Sequence, residues 1–378
     1  MLLLNEKIEN GQVVRLKARA VVIGSQSRKG VHYSQTFSPT VDPTITKLMT
    51  ALAAVEDLEI RAYDAKQAYL SAQPEAAVYV RPPPGFEHPD DPSMVWELHS
   101  SQYGLPSSSR DFWLLTCRSM TRQGFIKVAH DGTVWIKRVN EKFLVVCTHV
   151  DDDFMVGNSS AMFDEVVREC AKDGINFETA HELNTDGSTM KYVGCVFERN
   201  RTERTIRMQQ TEYVEHLVTN YEQDHDVVLR MHDTPMPADI RIDPRECIGE
   251  PSANARNAQI MRGVLGLCLY LHTRPEIQYS VVELARIAHN PNAQHMALME
   301  HLLGYLKRTK HLGLTFGGRK FMDPKVRNQI TAFSDASWGS CLETRRSMTC
   351  FTIMLNGAAI YHKCKRQKIV ATSTAESE

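Results

Sequence analysis

The run Val150-Asp151-Asp152-Asp153-Phe154 sets three carboxylates in succession between apolar segments. Consecutive carboxylates repel one another, so such a cluster, once partly buried, calls for a cation. Magnesium suits it, because this hard ion takes one or two protein carboxylates and keeps positions for phosphate oxygens. Neighbouring strand residues point to opposite faces, so adjacent Asp151 and Asp152 address one site only at a turn. A third carboxylate from another strand completes a two-metal arrangement of the kind that supports phosphoryl transfer. Asp64, at the end of the strand-like run LEIRAYD, is the best candidate. Taken alone, VDDDF is more simply a solvated acidic turn.

The elements that must hold these acids follow from periodicity. TVWIKRV and KFLVVCTHV read as two strands joined at Asn140-Glu141, and FMVGN resumes strand character after the acids. The acids therefore sit at a hairpin tip. Residues 12–24 read as two short strands or one hairpin, with Lys17 and Arg19 on one face. Residues 44–57 show helical spacing behind Thr44, a capping type. The segment after Asp64 is a turn or short helix, YVRPPPGFEHPDDP is a loop, and 109–123 is a second helix ended near Gly124. A helix over FDEVVRECAKDG follows, then a strand pair and helix over 190–223 and a polar linker over 231–255. Helices are expected near 259–272, 277–288 and 294–309, and strands return from 328.

Composition narrows the class. A hydrophobic content of 42% supports real cores, and a net charge of -1 argues against a dedicated nucleic-acid coat. Nucleic-acid contact, if any, must be local. The nine cysteines show no CxxC pair, so neither a zinc site nor a disulfide framework is expected. The start, MLLLNEKIENG, is no signal peptide, and no window is apolar for the length of a span. An intracellular protein, cytoplasmic or nuclear and not secreted, is expected.

A series of blocks then points further. KARAVVIG (17–24), YSQTFSPTV (33–41), DAKQAYL (64–70), VYVRPPPGF (78–86), YGLPSSSRDFW (103–113) and HVDD (149–152) occur in this order. VGCVFER, TPMPAD, LGLCLYLHTRPEI and LLGYLKRT follow, and FSDASWG and STAESE close the series. In order and spacing these blocks resemble the copia-type reverse transcriptase family over nearly the whole chain. The resemblance implies an α+β protein. Residues 1–225 would be the fingers and palm of a right-hand polymerase core with the start of the thumb. Residues 226–327 would be a helical thumb and connecting region, and 328–378 a truncated RNase H-like α/β domain. It also implies RNA-directed DNA polymerase activity by two-metal nucleotidyl transfer. Two Mg²⁺ or Mn²⁺ ions would be the cofactors. An RNA template, a DNA primer and deoxynucleoside triphosphates would be the partners, with no membrane.

By this resemblance Asp64, Asp151 and Asp152 are the metal ligands, and the Ala65 carbonyl offers a further oxygen. Tyr69 stands where the family has an aromatic residue that excludes a ribose 2′-hydroxyl, although from sequence alone it is equally a core tyrosine. Lys17 and Arg19 would hold the triphosphate. Arg110 would contact phosphate, since a cation near a helix N-terminus is otherwise slightly unfavourable. Asp335 and Glu378 match the first two carboxylates of the RNase H site. The chain also departs from the pattern. Ser107 replaces a Gln that positions the templating nucleotide, His149 replaces a Tyr, Asp153 replaces an apolar residue, and Ile23 replaces a basic one. Asp153 should point off the metal face and cost free energy if buried. Asp335 and Glu378 alone do not make a two-metal nuclease, so no RNase H activity is expected of these residues. The alternative is a decayed, non-catalytic retrotransposon remnant that folds and binds nucleic acid.

Overall fold

The computed structural model describes all residues except 10–11, 129–131, 239, 241 and 247–253. It has two compact units: Met1–Asp42 with Glu59–Glu182, and Pro43–Leu58 with Leu183–Glu378. These follow contacts, whereas the sequence boundaries at 225/226 and 327/328 follow segment character.

The first unit opens with an antiparallel hairpin of β1 (Leu2–Glu9) and β2 (Gln12–Ala20), in which Lys17 lies opposite Asn5 and Arg19 opposite Leu3. Helix α1 (Pro43–Glu56) comes next in the chain and belongs to the second unit. The first unit resumes with β3 (Glu59–Asp64), α2 (Ala68–Ser71), β4 (Tyr79–Val80), β5 (Trp96–Glu97) and α3 (Ser108–Arg122). It ends with β6 (Ile126–Lys127), β7 (Val134–Val139), β8 (Lys142–His149), β9 (Asp152–Gly157), α4 (Ser160–Lys172) and β10 (His181–Glu182). Among the described residues these strands form a six-stranded sheet in the order β10-β3-β9-β8-β7-β6, antiparallel throughout. One sheet face supplies Tyr63, Trp135, Val146 and Met155 to a core shared with Phe112 and Met120 of α3 and Phe163 and Val166 of α4. Arg61 is buried in this unit. It bonds Asp164 at 2.9 Å, Glu59 at 3.2 Å and Glu182 at 3.3 Å, and lies over the Phe163 ring. A buried guanidinium is tolerated only when paired in this way.

In the second unit, α1 is built from small residues, and its Ala51, Ala53 and Ala54 are buried. Pro43 opens the helix at a position where a missing N–H costs nothing. Thr44 therefore lies inside the first turn and not at the cap expected for it. Strands β11 (Thr189–Tyr192), β12 (Cys195–Asn200) and β13 (Thr205–Gln209) form a meander. Helices α5 (Thr211–His225), α6 (Ala255–Leu269), α7 (Gln278–Ala285) and α8 (Ala293–Arg308) come next, then β14 (Gly313–Gly317), which closes a four-stranded sheet beside β13. Leu217, Met261, Leu265, Leu284 and Leu302 are core residues of the helical part. Strands β15 (Ile330–Ser337), β16 (Met348–Leu355) and β17 (Ala358–Arg366) form a further antiparallel sheet, and α9 (Thr374–Ser377) ends the unit. Arg199, almost fully buried, donates to the carbonyls of Leu58 and Leu183 at 2.7 and 2.9 Å and to Asp57 at 3.0 Å. Asp57 also holds Arg201 and Arg204 at 2.7 and 2.9 Å.

Most expected helices and strands are present with ends shifted by a few residues. Residues 12–24, expected as two short strands or one hairpin, instead supply the single strand β2, whose hairpin partner is β1. The strand pair expected over 190–223 is three strands, and the polar linker falls partly outside the described residues. A further expectation is overturned. Cys350 and Cys364 are joined in a disulfide, because β16 and β17 set them directly opposite each other. Pairing register decides that, and spacing along the chain does not show it. Among the described residues no helix is long and apolar enough to cross a membrane.

Candidate active site

The acids meet through strand register. In the antiparallel pair of β3 and β9, Asp64 lies directly opposite Asp152, and in the pair of β8 and β9, His149 lies opposite Asp152. Directly opposed residues share a face. Asp64, Asp152 and His149 therefore share one face, while Asp153 shares the other with Tyr63 and Thr148. Asp151 occupies the two-residue tip with Val150. The Ala65 amide donates to the Asp151 carbonyl at 2.8 Å, tying the end of β3 to that tip. Val150 has φ 60°, a left-handed conformation that a β-branched residue adopts only at a cost. Strain of this kind, held by the ladder on both sides, is concentrated at functional turns.

The electrostatics fit a site built for a cation. Burial pushes the Asp152 carboxyl up to about 6, and the neighbouring Asp151 and Asp64 charges push in the same direction. Burial lowers the His149 imidazole below its ordinary value. The Asp151 charge and a hydrogen bond with the Val41 backbone partly oppose that shift. The donors are all oxygens, as a hard divalent ion prefers. Among the described residues, no group of three or more His, Cys, Asp and Glu side chains is gathered closely enough to hold an ion as it stands. Like charges without a counter-ion stay apart.

Asp153 behaves differently. The residue is 4% exposed, and it faces the core that contains Phe112, Met120 and Cys170. Burial pushes its carboxyl up to about 7. Thr148, opposite it in the ladder, works against that shift. Asp153 Oδ1 and Thr148 Oγ1 nevertheless make no hydrogen bond of normal geometry. The sequence reading of an acid turned off the Asp64 face agrees with this register.

The remaining expected residues separate into two groups. Arg19 and Tyr69 come together through a residue that sequence reasoning assigned no role. The Arg19 guanidinium lies 5.4 Å from the centre of the Tyr103 ring, and Tyr103 meets Tyr69 edge-on with centroids 5.0 Å apart. The Tyr69 hydroxyl is 3.1 Å from Ser109 Oγ. Tyr103 lay in plain view in the YGL block, but its neighbours come from β2 and α2, which no local pattern joins. Arg110 has its contacts elsewhere, donating to the Phe37 carbonyl at 3.4 Å and lying over Trp113. Lys17 has a described backbone in β2, but its side chain lies outside the described residues. Ser107 is buried at the start of α3, where its carbonyl accepts from the Asp111 amide at 2.9 Å. In the second unit, Asp335 on β15 is exposed, and the Glu378 carboxylate accepts from the adjacent Ala336 amide at 3.3 Å.

The two sequence comparisons with known proteins agree with each other. The family described as reverse transcriptase (RNA-dependent DNA polymerase) matches residues 2–230. The Retrovirus-related Pol polyprotein from transposon TNT 1-94 of Nicotiana tabacum is 28% identical over 371 residues, covering 97% of this chain and 27% of that one. The corresponding polyprotein from transposon RE1 of Arabidopsis thaliana is 24% identical over 370 residues, covering 98% and 24%. The chain thus spans about a quarter of the length of these relatives. A telomerase structure from Candida albicans aligns at 12% identity, covering 71% of this chain and 48% of that one. Its TM-score of 0.28 carries no argument about fold.

Proposed function

Because this chain belongs to the reverse transcriptase (RNA-dependent DNA polymerase) family, as the reverse transcriptase region of a copia-type retrotransposon polyprotein, we propose that Asp64, Asp151 and Asp152 form its nucleotidyl-transfer site. The observation that carries this reading is the direct opposition of Asp64 and Asp152 across β3 and β9, with Asp151 next to it at a strained tip. Residues 1–225 then correspond to fingers and palm with the start of the thumb. Residues 226–327 correspond to a thumb and connecting region, and 328–378 to an RNase H-like part in which Asp335 and Glu378 are the carboxylates.

The three aspartates and the Ala65 carbonyl would hold two Mg²⁺ or Mn²⁺ ions. Those ions supply charge neutralisation and Lewis acidity at the primer hydroxyl and the triphosphate. The protein's own share is positioning. The ladder holds the carboxylates on two strands, so their geometry does not depend on a flexible loop. Arg19 and Lys17 on the hairpin receive the triphosphate, where a guanidinium suits bidentate contact. Tyr69, fixed by Ser109 and Tyr103, closes the space a ribose 2′-hydroxyl would need. Arg110 is the further candidate for a phosphate contact. The substrates on this reading are deoxynucleoside triphosphates, on an RNA template with a DNA primer.

One observation favours the second reading, a non-catalytic remnant. Asp153 sits buried behind Asp152 with an orphaned oxygen, a cost with no evident return in catalysis. A primer-extension assay with Mg²⁺ on an RNA template separates the two. Extension that disappears in Asp151→Asn supports the polymerase. No extension on any template or with any divalent metal leaves the remnant.

A further inference from the structure

Tyr103 stands where β2, α2 and the loop before α3 meet. Its carbonyl accepts from the Val22 amide at 2.8 Å, just beyond the end of β2. Gly104 follows with φ +88°, and a Cβ there would come within 2.0 Å of the Val22 carbonyl oxygen. The loop is thus pressed backbone to backbone on the strand that bears Arg19. On its other side the Tyr103 ring takes Tyr69 edge-on, at 60° and 5.0 Å. Its face lies under the Arg19 guanidinium at 5.4 Å. Aromatic pairs prefer this edge-to-face arrangement, and a cation over the negative face of a ring is attracted to it.

We propose that Tyr103 is a positioning residue for the incoming deoxynucleoside triphosphate: one ring holds Arg19 over the triphosphate path and holds Tyr69 against the sugar. This rests on the polymerase reading of Asp64, Asp151 and Asp152. Burial raises the phenol most, Arg19 lowers it, and Asp151 and Asp64 add to the rise. A nucleotide with phosphates at Arg19 and sugar at Tyr69 must therefore lie along the Tyr103 ring. The ring matters here and the hydroxyl does not, because both contacts are made by the π system. Losing the ring releases Arg19 and Tyr69 together, which weakens nucleotide binding and also blurs the choice between deoxyribose and ribose.

The test measures equilibrium binding of dATP and of ATP to the full chain. An RNA template annealed to a dideoxy-terminated DNA primer is present, with Ca²⁺ so that no turnover occurs. In Tyr103→Phe both affinities should stay within about twofold of the parent. In Tyr103→Leu the dATP Kd should rise about tenfold, the scale of one lost aromatic contact, and the dATP preference over ATP should fall. If Tyr103→Leu does not fold, Tyr103→Met, which fills similar space without a π face, takes its place. Unchanged binding in the Leu or Met variant overturns the proposal and leaves the polymerase reading standing. An equal loss for both nucleotides, with the preference intact, also overturns it, since that marks support of the fold alone. A parent that binds neither nucleotide overturns the polymerase reading and this proposal together.

Discussion

Replacing Asp153 with Asn should stabilise the first unit, by an amount that depends on pH. In the folded chain the Asp153 carboxyl is pushed from an ordinary 3.8 up to about 7, because it is buried against an apolar core with one oxygen unbonded. A carboxyl with a raised folded pKa favours the folded state while protonated. Its contribution is complete below about pH 4 and is lost as pH rises through about 7. A rise from 3.8 to about 7 corresponds to roughly 4 kcal/mol, an upper bound for a group that can relax or hydrate. Asn keeps the shape and carries no charge. The Asp153→Asn gain should therefore be about 1–1.5 kcal/mol at pH 5, where the unfolded carboxyl is already ionised, and reach about 2–4 kcal/mol at pH 8. Asp152 also titrates upward, but it is common to both proteins, so most of its effect cancels in the difference. Guanidinium unfolding followed by tryptophan fluorescence is the assay, since Trp96, Trp113 and Trp135 lie in the first unit and only Trp338 in the second. Equal stability of the two proteins at pH 8, or a gain that does not change from pH 5 to pH 8, would refute the claim that this carboxyl is buried against its charge.

Other outcomes follow from the same structure. Asp57→Ala leaves the buried Arg199 guanidinium without its carboxylate and should cost the second unit about 3 kcal/mol, read as a lower melting temperature. Gly104→Ala forces a Cβ onto the Val22 carbonyl at positive φ. It should destabilise the first unit by more than about 1 kcal/mol and speed hydrogen exchange at the Val22 amide. Val150→Gly relieves the left-handed strain at the hairpin tip. It should add about 1 kcal/mol of stability while primer extension falls, because the tip no longer holds Asp151 in one geometry.

Much of the candidate site was legible because it depends on local patterns. An apolar strand running into carboxylates and back into an apolar strand admits few arrangements other than a hairpin tip. Period-two alternation then separates Asp152 from Asp153. The pairing of Asp64 with Asp152 needed the ordered blocks, since nothing in the periodicity says which strands are neighbours. What stayed hidden depends on contacts between distant segments. α1 packs with the unit whose remaining residues begin at Leu183, and Cys350 meets Cys364 because two strands share a register. Tyr103 gains its place only when β2 and the segment bearing Tyr69 converge on one loop. The burial of Asp153 was conditional on a core that forms behind the hairpin from α3 and α4. A sequence shows the strand face, but not what covers it.

The most direct test of the central claim is Mn²⁺ binding, followed by electron paramagnetic resonance, to the full chain and to Asp64→Asn, Asp151→Asn and Asp152→Asn. If carboxylates from two strands make one site, each single substitution should weaken or abolish the same Mn²⁺ signal. Binding in Asp64→Asn that matches the parent would contradict the account, because β3 would then contribute nothing to a site confined to the hairpin tip.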